Sequence, residues 1–312
     1  MSAINTPARR ASQRKVRLIK RNWQLYLFLL PAVVIFLLFH YYPMYGVQIA
    51  FKDFRANLGI AGSPWVGLKH FKRFVTTSSF TLLMGNTLRI SLMSLLIGFP
   101  MPVLFALLIN EIRYTPYRKM IQTVSYAPHF ISTVVMVSML TIFLDKDYGI
   151  VNVLIGTLGI GPYDFMTKGP WFPSIYVISN IWQNLGWDAI IYIAALSGVD
   201  MQLHEAAMID GATRVQRVWH INLPSILPTV IIMLILACGK IMSVGFEKVY
   251  LMQNALNTSH SEIISTFVYK AGLQSAQYSF STAIGLFNSV INLILLLFVN
   301  MLSKRLGETS LW

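Results

Sequence analysis

Cysteine and charge are what this sequence has least of. A single cysteine, Cys238, in 312 residues excludes a disulfide framework and any cysteine-based zinc or iron–sulfur site. Set in an apolar run, it reads as a small core residue. Charged residues make up 12% of the chain, against roughly 25% in soluble domains. So few charges cannot cover the surface of a soluble protein this long, which makes lipid the main solvent. No G-x-x-x-x-G-K-[ST] segment exists: Gly239-Lys240 has the wrong spacing, so the chain cannot cradle ATP phosphates. No His, Cys, Asp and Glu set has metal-ligand spacing, and none suggests a catalytic constellation. The one close acidic pair, Asp145 and Asp147, has Lys146 between its members.

What is abundant is apolar: 55% of residues are hydrophobic. Runs near 20 residues mark spanning helices, because about 30 Å of hydrocarbon requires that many at 1.5 Å each. Six are expected, over 23–42, 84–109, 120–144, 172–196, 224–245 and 282–302, with a kink at Pro128. The sequence therefore predicts an all-α, multi-pass membrane protein: a basic tail over 1–22, a membrane domain over 23–305 and a short tail over 306–312. Arg9, Arg10, Arg14, Lys15, Arg17, Lys20 and Arg21 precede the first run, which is too long for a signal peptide and has no small-residue cleavage site after it. The positive-inside rule keeps this tail in the cytoplasm, and six crossings return the C-terminus to the same side. The excess of cations then fits an anionic membrane leaflet, and without a basic folded domain nucleic acid is not expected. The first outer loop strains this topology with Lys52, Arg55, Lys69, Lys72 and Arg73. Its stretch over 68–74 alternates Leu68, Phe71 and Phe74 with cations, the pattern of an amphipathic helix lying on the interface.

Between the fourth and fifth spans, residues 198–224 read as two short cytoplasmic helices. Asp200 can cap the first. Leu203, Ala206, Ala207 and Asp210 fall at helical spacing, the alanines leaving room for close approach, and Gly211 suits a helix C-terminus. Val215, Val218 and Trp219 share one side of the second helix, with Arg214 and Arg217 toward water, until Pro224 restarts the chain into the fifth span. Such a pair is either a docking element or a hairpin resting on the membrane.

Glu205-Ala206-Ala207, three residues, Gly211, nine residues, Ile221, one residue, Leu223-Pro224 resembles the EAA loop in the integral membrane subunits of bacterial ABC importers. Segments 42–46 (Tyr-Pro-Met-Tyr-Gly) and 122–132 (Gln-Thr-Val-Ser-Tyr-Ala-Pro-His-Phe-Ile-Ser) resemble the branch that imports oligosaccharides, including plant-polysaccharide and alginate fragments. The resemblance implies a type I ABC importer permease in the bacterial plasma membrane. It also implies two paired permease subunits, an extracellular solute-binding protein that delivers the sugar, and two ATPase subunits that bind Mg-ATP and dock on Glu205, Ala206, Ala207, Asp210 and Gly211. The basic tail and long first outer loop favour a heterodimer. Glu205 is then either an anchor to the ATPase or a brace for its own loop.

The fourth span is the most polar. Asn180, Asn184 and Trp187 share one helix face, with Gln183, Asp188 and Tyr192 nearby. Amides suit sugar hydroxyls and an indole suits a pyranose face, although the same groups could join neighbouring helices. In the resembling family this span and the fifth line the sugar site. Lys240 is the deepest cation and needs a partner, either Asp188 or a carboxylate on an acidic oligosaccharide. Arg89 can snorkel from the second span. His129, Asn288 and Asn292 read as helix contacts. An ion-gradient transporter is the alternative, but it would want ionisable groups or broken helices in repeated halves, and only Asp188 and Lys240 offer themselves.

Overall fold

The computed structural model describes residues 21–305, 307 and 309–311. The tail expected over 1–22 lies outside the described residues except for Arg21 and Asn22, and the tail over 306–312 is described only in part. The chain divides into two units, Met1–Gly67 and Leu68–Trp312. Among the described residues there is no sheet, and one isolated bridge joins Lys52 to Trp65.

In the first unit, α1 (Trp23–Phe51) is one continuous helix of 29 residues, longer than the 23–42 expected. Its lipid-type side chains are exposed, Phe28 at 84% and Tyr42 at 75%. Pro43 does not end it. A wide turn at Leu37–Tyr41, where the Tyr42 N–H bonds the Leu37 carbonyl five residues back, absorbs the proline. Beyond the helix, the Lys52 ammonium donates to the Ile60 carbonyl at 2.7 Å and lies over the Trp65 ring.

The second unit opens with α2 (Lys69–Thr76), which packs against helix and does not lie free on the interface. Phe74 is 1% exposed among Phe80, Phe280 and Phe287, and the Arg73 guanidinium sits 4.1 Å from the Phe280 ring centroid. Leu68, expected on the apolar face, is exposed. Helix α3 (Phe80–Asn110) follows. Helices α4 (Thr115–Phe130) and α5 (Thr133–Phe143) replace the expected third span and meet at 99°. The kink expected at Pro128 is thus a full break just beyond it: Pro128 lies in a tight turn, Ile131 and Ser132 are extended, and the Ser132 hydroxyl caps α5.

Helix α6 (Phe172–Ser197) matches the expected fourth span. Next come α7 (Met201–Ile209), α8 (Arg214–Cys238), α9 (Phe246–Met252), α10 (264–274) and α11 (Tyr278–Arg305). The fifth span is displaced from 224–245: its helix begins at Arg214, runs through Pro224 and ends at Cys238. Cys238 itself is half-buried.

Among the described residues four helices, α1, α3, α8 and α11, are long and apolar enough to cross a membrane, and the bent α4–α5 pair makes a fifth if counted as one. At 26 residues α6 spans about 39 Å, but its amides and Asp188 make it too polar for the same test. It is nonetheless central. Ala106 of α3, Ala189 of α6 and Ile226 of α8 are all fully buried in one cluster. Tyr176 and Val177 of α6 pack with Val137 and Val249 in another. Gly186 lets α4 approach α6, because a Cβ there would run into the Ser125 carbonyl.

Candidate functional site

Two sets of residues stand out, one at each end of the α6–α8 region. The first is α7. The Asp200 carboxylate accepts from the Gln202 N–H at 2.9 Å, fixing its start as the sequence suggests. Gly211, at φ +77°, closes the other end: its N–H reaches the Met208 carbonyl at 3.1 Å and the Ala212 N–H reaches the Ala207 carbonyl at 2.8 Å. This double bond of the chain back on itself satisfies carbonyls that a helix end leaves free. No residue of α7 is buried, and Ile209 is 87% exposed. Glu205, Ala206 and Asp210 are exposed and Ala207 is half-buried. The Glu205 carboxylate has no hydrogen-bond partner among the described residues.

Thr213 then starts α8 with a capping box: the Gln216 N–H bonds the Thr213 hydroxyl at 3.3 Å and the Thr213 N–H bonds Gln216 Oε1 at 2.7 Å. The T-x-x-Q spacing was readable in the sequence. Val215 and Trp219, placed with Val218 on one side, are 66% and 60% exposed, while Val218 packs inward on the α3–α6–α8 cluster. Asn222, which sequence reasoning passed over, is fully buried. Its side-chain amide donates to Glu111 Oε1 at 3.3 Å, tying α8 to the end of α3. No pattern within either segment signals a bond across 111 positions.

The second set lines two neighbouring cavities against α6. The first, of about 460 Å³, is bounded by Ser91, Ser94, Asn180, Asp188, Tyr192 and Lys240 among others. The second, of about 510 Å³, is bounded by His129, Tyr176, Asn180, Gln183, Asn184 and Lys248 among others. Asn180 serves both. Asp188 and Lys240 line the same cavity, yet no ion pair joins them. Lys240 is exposed and lies two residues beyond the end of α8, which stops at Cys238.

Asn184, on the shared face, spends its hydrogen bonds within the protein. Its amide donates to Asn180 Oδ1 at 3.1 Å, and its carbonyl lies 2.9 Å from His129 Nδ1. Trp187 lines neither cavity and stacks flat on His129, with centroids 4.3 Å apart and planes at 2°. Gln183 donates to the Ile131 carbonyl at the α4–α5 break. His129 is thus a helix contact, as expected, and so is Asn292, which accepts from the Met242 N–H and donates to Ser243. Lys248 was missed because Phe246-Glu247-Lys248-Val249 reads as a solvated loop. It is in fact 6% exposed, and its ammonium has no hydrogen-bond partner.

Several apolar helices around a polar one, with cavities between them, define a class: a multi-pass membrane protein. Residues 98–308 match the family described as the binding-protein-dependent transport system inner membrane component, and the chain belongs to it. It is 45% identical over 99% of its length to the polygalacturonan/rhamnogalacturonan transport system permease protein YteP of Bacillus subtilis strain 168, covering 97% of that protein. Its fold is similar to the crystal structure of a bacterial ABC transporter involved in the import of the acidic polysaccharide alginate, with a TM-score of 0.86 and 42% identity over 95% of this chain and 100% of that one. A second crystal structure, of a bacterial alginate ABC transporter in complex with an alginate pentasaccharide-bound periplasmic protein, aligns with a TM-score of 0.86 and 41% identity over 95% of this chain and 99% of that one. The chain is a transport subunit and not an enzyme, since ATP hydrolysis belongs to separate ATPase subunits.

Proposed function

We propose that the chain is the transmembrane subunit of an ATP-driven oligosaccharide importer, crossing the membrane six times with both termini in the cytoplasm. On this reading α6 is the sixth crossing, made by a helix whose polar residues face cavities and a partner in place of lipid. Sugar delivered by an extracellular solute-binding protein passes along α6, meeting Asn180, Asp188 and Lys240 in one cavity and Asn180 and Asn184 in the other, with Trp187 held behind them by His129. A second, non-identical permease closes the path from the opposite side. Two ATPase subunits bind Mg-ATP and dock on α7 through Glu205, Ala206, Ala207, Asp210 and Gly211. Their closing and opening rocks the permease pair between outward-open and inward-open forms. The names of the relatives reported above, for polygalacturonan/rhamnogalacturonan and for alginate, support the sugar assignment.

The observation that carries this reading is α7 itself. A helix with no buried residue, apolar side chains in the open, and both ends closed by its own hydrogen bonds has the form of a finished docking surface. A Glu205→Cys variant in a Cys238→Ser background tests its placement. A membrane-impermeant maleimide should label it in inside-out vesicles and not in right-side-out ones; labelling from outside overturns the topology and the docking together. An Ala207→Asp variant should remain in the membrane while the ATPase fails to co-purify with it.

A further inference from the structure

Among the described residues Lys248 is a cation without a counterion. Its side chain is 6% exposed and its ammonium makes no hydrogen bond, yet it borders the roughly 510 Å³ cavity shared with His129, Asn180 and Asn184. Its one favourable neighbour is the ring of Tyr176, whose centroid lies 5.6 Å from Nζ. No acid among the described residues pairs with it: Glu247 borders the same cavity but is exposed and forms no ion pair with it, Glu262 is bonded to Lys270 at 2.6 Å, and Asp188 borders the other cavity. A buried ammonium left unpaired is costly, and a fold retains such a group where a ligand completes it. The matching ligand carries an anion on a frame with hydrogen-bond acceptors, since Asn180 on the same wall accepts from Asn184 through its Oδ1 and keeps its own amide N–H groups for a ligand.

We propose that Lys248 reads the carboxylate of a uronic acid residue, so that this permease favours acidic oligosaccharides over neutral ones of the same shape. The inference rests on the sugar path along α6 and deepens it by naming the class of sugar. It is consistent with relatives that handle polygalacturonan and the acidic polysaccharide alginate. Charge and geometry both contribute: an ammonium fixed by burial discriminates a carboxylate from its ester, which has the same outline and no charge.

The test uses the complete transporter, with its native partner subunits and binding protein, in proteoliposomes. ATP-dependent uptake of trigalacturonate and of an alginate trisaccharide is compared with uptake of their methyl esters, for wild type, Lys248→Gln and Lys248→Arg. Relative to its own uptake of the esters, the glutamine variant should lose roughly 10- to 100-fold in uptake of the acids, and arginine should restore most of the loss. Equal loss for acid and ester, or no loss for the acids, overturns the assignment. So does dissociation of the partner permease from the glutamine variant on size-exclusion chromatography, which would show that a partner's acid neutralises Lys248. A wild-type complex that moves neither acid nor ester refutes the sugar path itself, whereas one that moves both equally refutes only the role of Lys248.

Discussion

Substitution of Gly211 separates backbone conformation from partner contact at the docking helix. Its φ of +77° is left-handed, and a Cβ added there meets no atom within 4 Å. Within this chain the cost of a side chain is therefore conformational: about 1–2 kcal/mol for alanine, and less for asparagine, which tolerates left-handed backbone. What is lost is the closed turn in which the N–H groups of Gly211 and Ala212 hold the carbonyls of Met208 and Ala207. Opening it frays the last turn of α7, where Ala207 and Asp210 sit. A penalty of this size lowers the population of the closed turn by a factor of roughly 5–30. Titrating reconstituted permease pairs with purified ATPase subunit should thus show an apparent Kd raised by that factor for Gly211→Ala and by distinctly less for Gly211→Asn. If the ATPase instead packs directly on the glycine, the larger asparagine will be the worse variant, and that order refutes the conformational account.

Three further outcomes are expected. Replacing the fully buried Asn222 by leucine removes the bond to Glu111 and should cost about 1–3 kcal/mol, read as a lower thermal midpoint of the purified complex; an unchanged midpoint rules out a structural tie between α3 and α8. Asn184→Leu releases His129 and Asn180 and should depress sugar uptake while the complex still assembles; uptake at the wild-type rate returns this cluster to simple helix packing. In α9, between the last two spans, burial pushes the Lys248 ammonium from 10.5 down to about 8. The neutral form then suits the empty fold, so the transporter without sugar should gain stability as pH rises from about 8 to 10.5. Carboxylate capture needs the charged form, so uptake of acidic oligosaccharide should fall as pH rises through 8, and a flat profile across that window refutes the charge requirement.

The long apolar runs were legible because lipid demands continuous hydrophobicity, which needs no knowledge of neighbours. The helix limits of the 198–224 loop were legible for a similar reason: Asp200, Thr213 and Gly211 act within a turn of themselves. Contacts made across the fold were not. The alternation over 68–74 signals an amphipathic helix correctly, but only the structure shows Phe74 seated among rings from 80, 280 and 287. Asp188 and Lys240 look like an obvious pair in a list of charges, but they line one cavity without forming an ion pair. Lys248 is the opposite case: a residue with a loop-like sequence context is buried because α9 packs on α5 and α6 through Val249 and Met252.

Proline explains where the expected helix limits went astray, and it bears on how the docking helix connects to the cavities. Three wide turns, Leu37–Tyr41, Ser94–Gly98 and Val218–Asn222, each stand two residues before a proline, at Pro43, Pro100 and Pro224. In each, the residue just before the proline bonds a carbonyl five back: Tyr42 to Leu37, Phe99 to Ser94, and Leu223 to Val218. A proline in an ordinary helix clashes with the carbonyl four residues back. One extra residue in the preceding turn shifts that carbonyl out of register with the ring, so the helix continues where a regular one would break. For α8 the result is a single rod of 25 residues, about 37 Å long, reaching from the Thr213 cap beside the docking helix to Ala237 at the wall of the first cavity. If an ATPase docks on α7 as proposed, an unbroken helix pinned near its base by Asn222 to Glu111 is the element that would carry its motion toward the first cavity, which a hinge at Pro224 would interrupt.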